Sequence, residues 1–160
     1  IRHGFELTDQ NPDVAVLGFD TTLTYEKLHK LCDLAVAGVP YIATHPDINC
    51  PTEHGFMPDV GAMIELVATS TGRRPDVIVG KPNKPIVDAL VEKTGLPLEA
   101  HCMVGDRLYT DIALGRWGII TALVLSGETK AEDLEGSEFV PDIAAANINE
   151  MATLLEKARS

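Results

Sequence analysis

At 160 residues, 45% of them hydrophobic and 23% charged, the chain can build one domain of ordinary size with a real core and is too apolar for a disordered segment. Its net charge of −11 argues against a nucleic-acid partner, because phosphate backbones reward basic patches. Three cysteines (Cys32, Cys50 and Cys102) without a CxxC pair fit free thiols in a reducing, cytoplasmic compartment, and no apolar run reaches the length of a membrane span.

The chain opens IRHGFELTDQ, without a methionine or a signal-like segment, which fits a fragment or a trimmed terminus. A buried strand is predicted over 14–19 (VAVLGF). A helix follows over 24–38, with Thr24 as cap, Glu26 in its first turn, Leu28, Leu31, Cys32 and Ala35 on one face, and Gly38 at its stop. A second strand covers 40–44 (PYIAT). The stretch 45–57 (HPDINCPTEHGFM) is polar and turn-rich and is expected to be a loop. Helical spacing returns over 59–72 through Val60, Met63, Ile64 and Val67 and ends at Gly72. A strand over 76–80 (DVIVG) precedes a helix over 84–95, with Asn83 as cap and Pro85 tolerated in its first turn. Then come a strand over 101–105 (HCMVG), a short helix over 110–118, and strands over 119–127 and 141–146. A closing helix covers 147–158, with Asn147 as cap and Glu150 three residues on.

Strands alternating with helices imply parallel β-α-β units in a layered α/β fold, whose ligands sit at the carboxyl ends of strands. Gly80–Lys81 and Gly105–Asp106 both fall at such ends. Lys81 is no P-loop lysine: Pro75 stands where that motif needs Gly, and Pro82 where it needs Ser or Thr. What remains is an ammonium at the ligand edge followed by a helix N-terminus, a pairing that favours an anion such as phosphate. A solvated loop lysine is the plainer alternative. Asp111 can be read as a helix cap favoured by the helix dipole. Asp106, directly at a strand end beside Lys81, is harder to explain that way. Few oxygen ligands, completed by a substrate phosphate, are what magnesium takes.

GKPN followed by MVGDRLYTDI resembles the third and fourth motifs of the haloacid dehalogenase-like (HAD) hydrolases. LTYEKL, YIATHPD, GRRPDVIVGKP and LVLSGET extend the resemblance to the NagD-like and 4-nitrophenyl phosphatase branch over nearly the whole chain. That resemblance implies part of a Rossmannoid three-layer α/β core with a parallel sheet over 71–160, and part of an α/β cap domain over 1–70. It also implies a small-molecule phosphate ester substrate, Mg2+ as cofactor and an aspartyl-phosphate intermediate. Lys81 would act in catalysis and hold phosphate together with Asn83. Asp106 would ligate magnesium, and Asp111 would support the metal site. A homo-oligomer formed through the cap is compatible with the branch, and neither nucleic acid nor membrane is implied.

The first motif of the family, an apolar strand ending in Asp-x-Asp-Gly, is missing: no Asp-x-Asp occurs in the chain. In one reading, Gly18 occupies the nucleophile position, Asp20 the acid position, and Thr44 the second motif of a homologue that has lost its nucleophile. In the preferred reading, residues 1–70 are cap and the first two motifs lie upstream of Ile1. Residues 1–160 alone are then expected to be poorly stable and inactive, with a sheet edge left unpaired. Cap loops of this family face the active site, so His45 and Asp47 are candidates for substrate binding. A zinc site from His45, Asp47, Cys50 and His54 is disfavoured by its spacing. His3, His29 and His101 read as surface or packing residues, and Trp117 and Met63 as core.

Overall fold

The computed structural model describes residues 4–157; His3 lies outside them. The chain divides into two compact units, one ending at Val79 and the next beginning at Gly80.

In the first unit, β1 (Ala15–Leu17), β2 (Tyr41–Ala43) and β5 (Val77–Ile78) form a parallel sheet in the order β1-β2-β5. Helices α1 (Tyr25–Val36) and α2 (Val60–Thr71) fill the crossovers. Thr24 caps α1 by accepting from the Lys27 amide, and Gly72, at φ +72°, closes α2 in a left-handed turn that favours glycine. Leu28, Leu31 and Cys32 of α1 and Val60, Met63, Ile64 and Val67 of α2 pack with Leu17, Tyr41, Ala43 and Ile78 into one core. Within β1, Ala15 and Leu17 are buried while Val16 points away. Because β5 bonds to β2, this unit runs past the expected boundary near residue 70.

The expectation of a loop over 45–57 is corrected. Strands β3 (Asn49–Thr52) and β4 (Gly55–Pro58) pair antiparallel across a tight turn at Glu53–His54. No residue of either strand is buried, so no apolar face wrote an alternating pattern into the sequence, and Pro51 and Pro58 masked the strands further.

In the second unit, β6 (Cys102–Gly105), β7 (Ile120–Val124) and β8 (Ile143–Ala145) form a parallel sheet in the order β6-β7-β8. Met103 packs with Val87 and Leu90 of α3 (Lys84–Thr94) and with Leu114, Ile119 and Trp117. Its neighbour Val104 faces the other way, toward Ala122, Ala145 and Met151 of α4 (Ile148–Lys157). Helical layers therefore cover both faces of this sheet, the arrangement expected of parallel strands. The segment over 110–118 is a 3-10 helix, Ile112–Trp117, shorter than expected.

Two caps differ from expectation. Asn83 stands at the N-cap position of α3 but makes no side-chain cap bond; its Nδ2 donates to the Gly80 carbonyl at 2.9 Å and closes the 80–83 turn instead. Asp111 likewise makes no cap bond to the helix it precedes. Asn147 does receive the Asn149 and Glu150 amides, at 3.0 and 3.1 Å, and Glu150 accepts from the Ala146 amide. His101 is buried, bonded to Thr94 and to the Pro97 carbonyl, while His29 is an exposed partner of Asp33.

Candidate active site

Lys81, Asp106 and Asp111 meet at the carboxyl end of the second unit's sheet. The Gly80–Asn83 turn delivers Lys81, whose ammonium donates to Asp111 Oδ1 at 2.5 Å. Asp111 Oδ2 accepts the backbone amides of Asp106 and Arg107, each at 3.2 Å. Three donors thus converge on one carboxylate whose side chain is 5% exposed. A buried carboxylate needs such compensation, and here it ties Lys81 to the turn that carries Asp106. Gly105 permits the approach, since a Cβ at that position would overlap the Asp111 carboxyl group.

Asp106 has a different environment. It is half-buried, and its Oδ2 accepts the Glu128 amide at 2.8 Å while its carbonyl accepts the Thr129 amide at 3.1 Å. Oδ1 has no donor among the described residues. Gly127 forms the cradle: a Cβ there would overlap Asp106 Oδ2. Glu128 also receives Arg107 Nε at 2.7 Å and the Tyr109 hydroxyl at 2.8 Å. Asp106 therefore offers one carboxylate oxygen at the same strand ends that carry the Lys81 ammonium, to which it is linked through Asp111. Among the described residues no group of three or more His, Cys, Asp or Glu side chains could hold a metal ion unaided. Magnesium does not need one, because it binds through one or two carboxylates plus phosphate and water oxygens. The donor set at Asp106 fits that ion.

The other predicted residues belong to the first unit. His45 Nε2 faces Asp59 Oδ1 at 2.8 Å and its Nδ1 faces the Thr44 hydroxyl at 3.0 Å. A carboxylate only accepts, so Nε2 donates to Asp59; in the neutral ring Nδ1 then receives the Thr44 proton. Buried Asp59 also caps α2 through the Val60 amide. The Asp47 carbonyl accepts the Gly61 amide at 2.7 Å, and a Cβ on Gly61 would overlap the Pro46 carbonyl. Loop 45–47 is thereby stapled to the first turn of α2. Asp20 is exposed and bound to Lys27 and Thr22; the Lys27 hydrogen bond first, then those of Thr22, hold its carboxyl down at about 2.

Motif reasoning gave no role to Gly127, Glu128 or Thr129. The signal was present in LVLSGET, where a glycine follows an apolar strand one place before a carboxylate.

A HAD-hydrolase-like family model matches residues 78–151, which contain this whole site. The chain is 38% identical over 151 residues to the acid sugar phosphatase of Staphylococcus epidermidis, an alignment covering 93% of this chain and 58% of that protein. Among solved structures, the 4-nitrophenylphosphatase of Thermotoga maritima is 54% identical with a TM-score of 0.88, over 94% of this chain and 58% of that one. NagD of Escherichia coli K-12 is 34% identical with a TM-score of 0.83, over 92% and 58% respectively. Over nearly all of its length the chain is similar to proteins of the NagD-like branch of the HAD hydrolases. It spans a little under three fifths of the length of these relatives, and its α/β fold with parallel sheets is that of the HAD proteins. No helix among the described residues is long and apolar enough to cross a membrane.

Proposed function

We propose that this chain supplies the phosphate-holding and metal-holding half of a phosphatase acting on small organic phosphate monoesters. The observation that carries the reading is the linked set Lys81–Asp111–Asp106 at the strand ends, in a chain similar to proteins named acid sugar phosphatase and 4-nitrophenylphosphatase. Lys81, held by Asp111, places a positive charge where a phosphate oxygen and an attacking carboxylate would otherwise repel each other. Asp106, held by Gly105 on one side and the 127–129 turn on the other, would hold Mg2+, with Asp111 supporting it through the Asp106 amide. Magnesium bound there supplies Lewis-acid stabilisation of the phosphoryl oxygens. The attacking Asp, and with it the aspartyl-phosphate, belongs to a segment upstream of Ile1.

In this reading residues 1–70, with the segment running on through β5, are the cap, and the residues from Gly80 onward are the core. His45 and Asp47 bind substrate from the cap, and Asn83 shapes the phosphate-side turn. Self-association through the cap and a cytoplasmic location belong to the same proposal. The alternative, a phosphate-binding homologue without catalysis, draws on the absence of Asp-x-Asp from the 160 residues. The reading frame upstream of Ile1 decides between them: an apolar strand ending Asp-x-Asp-Gly supports the enzyme. The full-length protein is then expected to release phosphate from 4-nitrophenyl phosphate with Mg2+ and to stop with a chelator. Unchanged metal dependence in Asp106→Asn would remove the assignment.

A further inference from the structure

Glu128, within LVLSGET, is given no role by that motif, yet it makes three of the contacts that join the 127–130 turn to the 106–109 turn. Its amide donates to Asp106 Oδ2 at 2.8 Å, its Oε2 receives Arg107 Nε at 2.7 Å, and its Oε1 receives the Tyr109 hydroxyl at 2.8 Å. The Thr129 amide adds a fourth contact, to the Asp106 carbonyl, and Lys130 Nζ closes the turn on the Gly127 carbonyl at 2.8 Å. Building on the magnesium reading of Asp106, we infer that Glu128 is a positioning residue for that site.

Two physical effects act together. A carboxylate can rotate and exchange its oxygens; an amide fixed on Oδ2 selects Oδ1 for the cation and favours the single-oxygen contact that a small octahedral ion takes. The side chain anchors that amide, because its carboxylate is held by two residues of the Asp106 turn itself. The second effect is electrostatic. Glu128 holds the Arg107 guanidinium, whose side chain is 20% exposed, in an ion pair. Without Glu128 the Arg107 charge, carried by the residue next to Asp106 in the chain, is less compensated, which disfavours a second cation at that turn. Outer partners of metal ligands typically contribute about 10–100-fold in metal affinity.

The test uses the full-length protein, with Mg2+ as the probe, titrated by calorimetry in the absence of substrate. Glu128→Ala is expected to weaken Mg2+ binding at least about tenfold. Its turnover should return toward the parent kcat as Mg2+ is raised, a metal-dependent recovery that a merely structural defect would not give. Glu128→Gln keeps one oxygen to accept from Arg107, turns its NH2 toward the Tyr109 hydroxyl and loses the charge, and is expected to fall between. Tyr109→Phe removes one anchor without changing charge, which keeps the proposal testable if Glu128→Ala does not fold; it should weaken Mg2+ binding by a few-fold. Parental Mg2+ affinity in folded Glu128→Ala, or in Tyr109→Phe and Glu128→Gln together, would overturn the inference. Asp106→Asn separates the two claims. If it abolishes Mg2+ binding while the Glu128 variants leave it intact, Glu128 has no positioning role and the metal site stands; if it too leaves binding intact, the metal reading itself falls.

Discussion

Asp111→Asn gives the sharpest test of how the site is built. The native carboxylate accepts from Lys81 Nζ at 2.5 Å and from the Asp106 and Arg107 amides at 3.2 Å each, and its side chain is 5% exposed. An asparagine has one oxygen for these three donors. Its NH2 group must then point either at the ammonium or at the two amides, leaving donor against donor in a buried place. A hydrogen bond to a charged group contributes about 1.5–3 kcal/mol, and the two long amide bonds to the carboxylate fall at or below the bottom of that range. The Lys81 side chain is 43% exposed and can rehydrate, so the lower end applies to the ammonium bond. The expected destabilisation is about 2–3 kcal/mol, or roughly 10 °C in Tm for a cooperative unit of this size. Thermal unfolding followed by circular dichroism reads that shift. Hydrogen exchange at the Asp106 and Arg107 amides should speed up in parallel, because both lose their acceptor. A Tm within about 1 °C of the parent, with both amides still protected, would refute the claim that Asp111 organises this turn.

Gly127→Ala should drive a Cβ into Asp106 Oδ2 and lower Mg2+ affinity at least about tenfold, read by calorimetry. Tyr41→Phe should stabilise the first unit by about 1 kcal/mol, since the Tyr41 hydroxyl is buried with no hydrogen-bond partner among the described residues; a fall in Tm would show that the hydroxyl is satisfied in solution. The same phenol gives a pH window. Burial, with the Cys32 charge adding to it, pushes it from 10.0 up to about 12. A folded pKa above the unfolded one gives stability that is complete below the unfolded value and lost as pH climbs through the folded one, so the parent should lose more stability between those limits than Tyr41→Phe. His45→Ala should raise KM for substrate and leave Mg2+ affinity at the parent level, because His45 bonds only Thr44 and Asp59 among the described residues.

The fold was legible where burial leaves a period. Helices α1 and α2 follow from apolar spacing and from Thr24 and Gly72 at their ends, and the parallel strands follow from short apolar runs between helices. The β3–β4 hairpin was not legible, because period-2 alternation is a record of one buried face and this hairpin has none. The capping roles given to Asn83 and Asp111 failed for a related reason. A side chain able to cap a helix can equally bond a turn, and only the tertiary position of Gly80 and of Lys81 selects the turn.

The aspartates of MVGDRLYTDI show how far a motif reaches. Their spacing suggests two similar groups, yet they sit in opposite states. Asp111 is enclosed, with every acceptor direction that matters taken by Lys81 and two amides, so its charge is already balanced inside the protein. Asp106 keeps Oδ1 without a donor and is balanced on one side only, by the Glu128 amide. A cation brought to this edge gains far more from Asp106 than from Asp111, since the charge of Asp111 is opposed at once by the ammonium beside it. The second aspartate therefore serves the first through the backbone. Its amide bonds aim the turn, and its bond to Lys81 sets the one positive charge of the Lys81–Asp106–Asp111 set at the same strand ends. The division between a carboxylate that builds and a carboxylate that binds is written in glycines: Gly105 makes room for the one and Gly127 for the other.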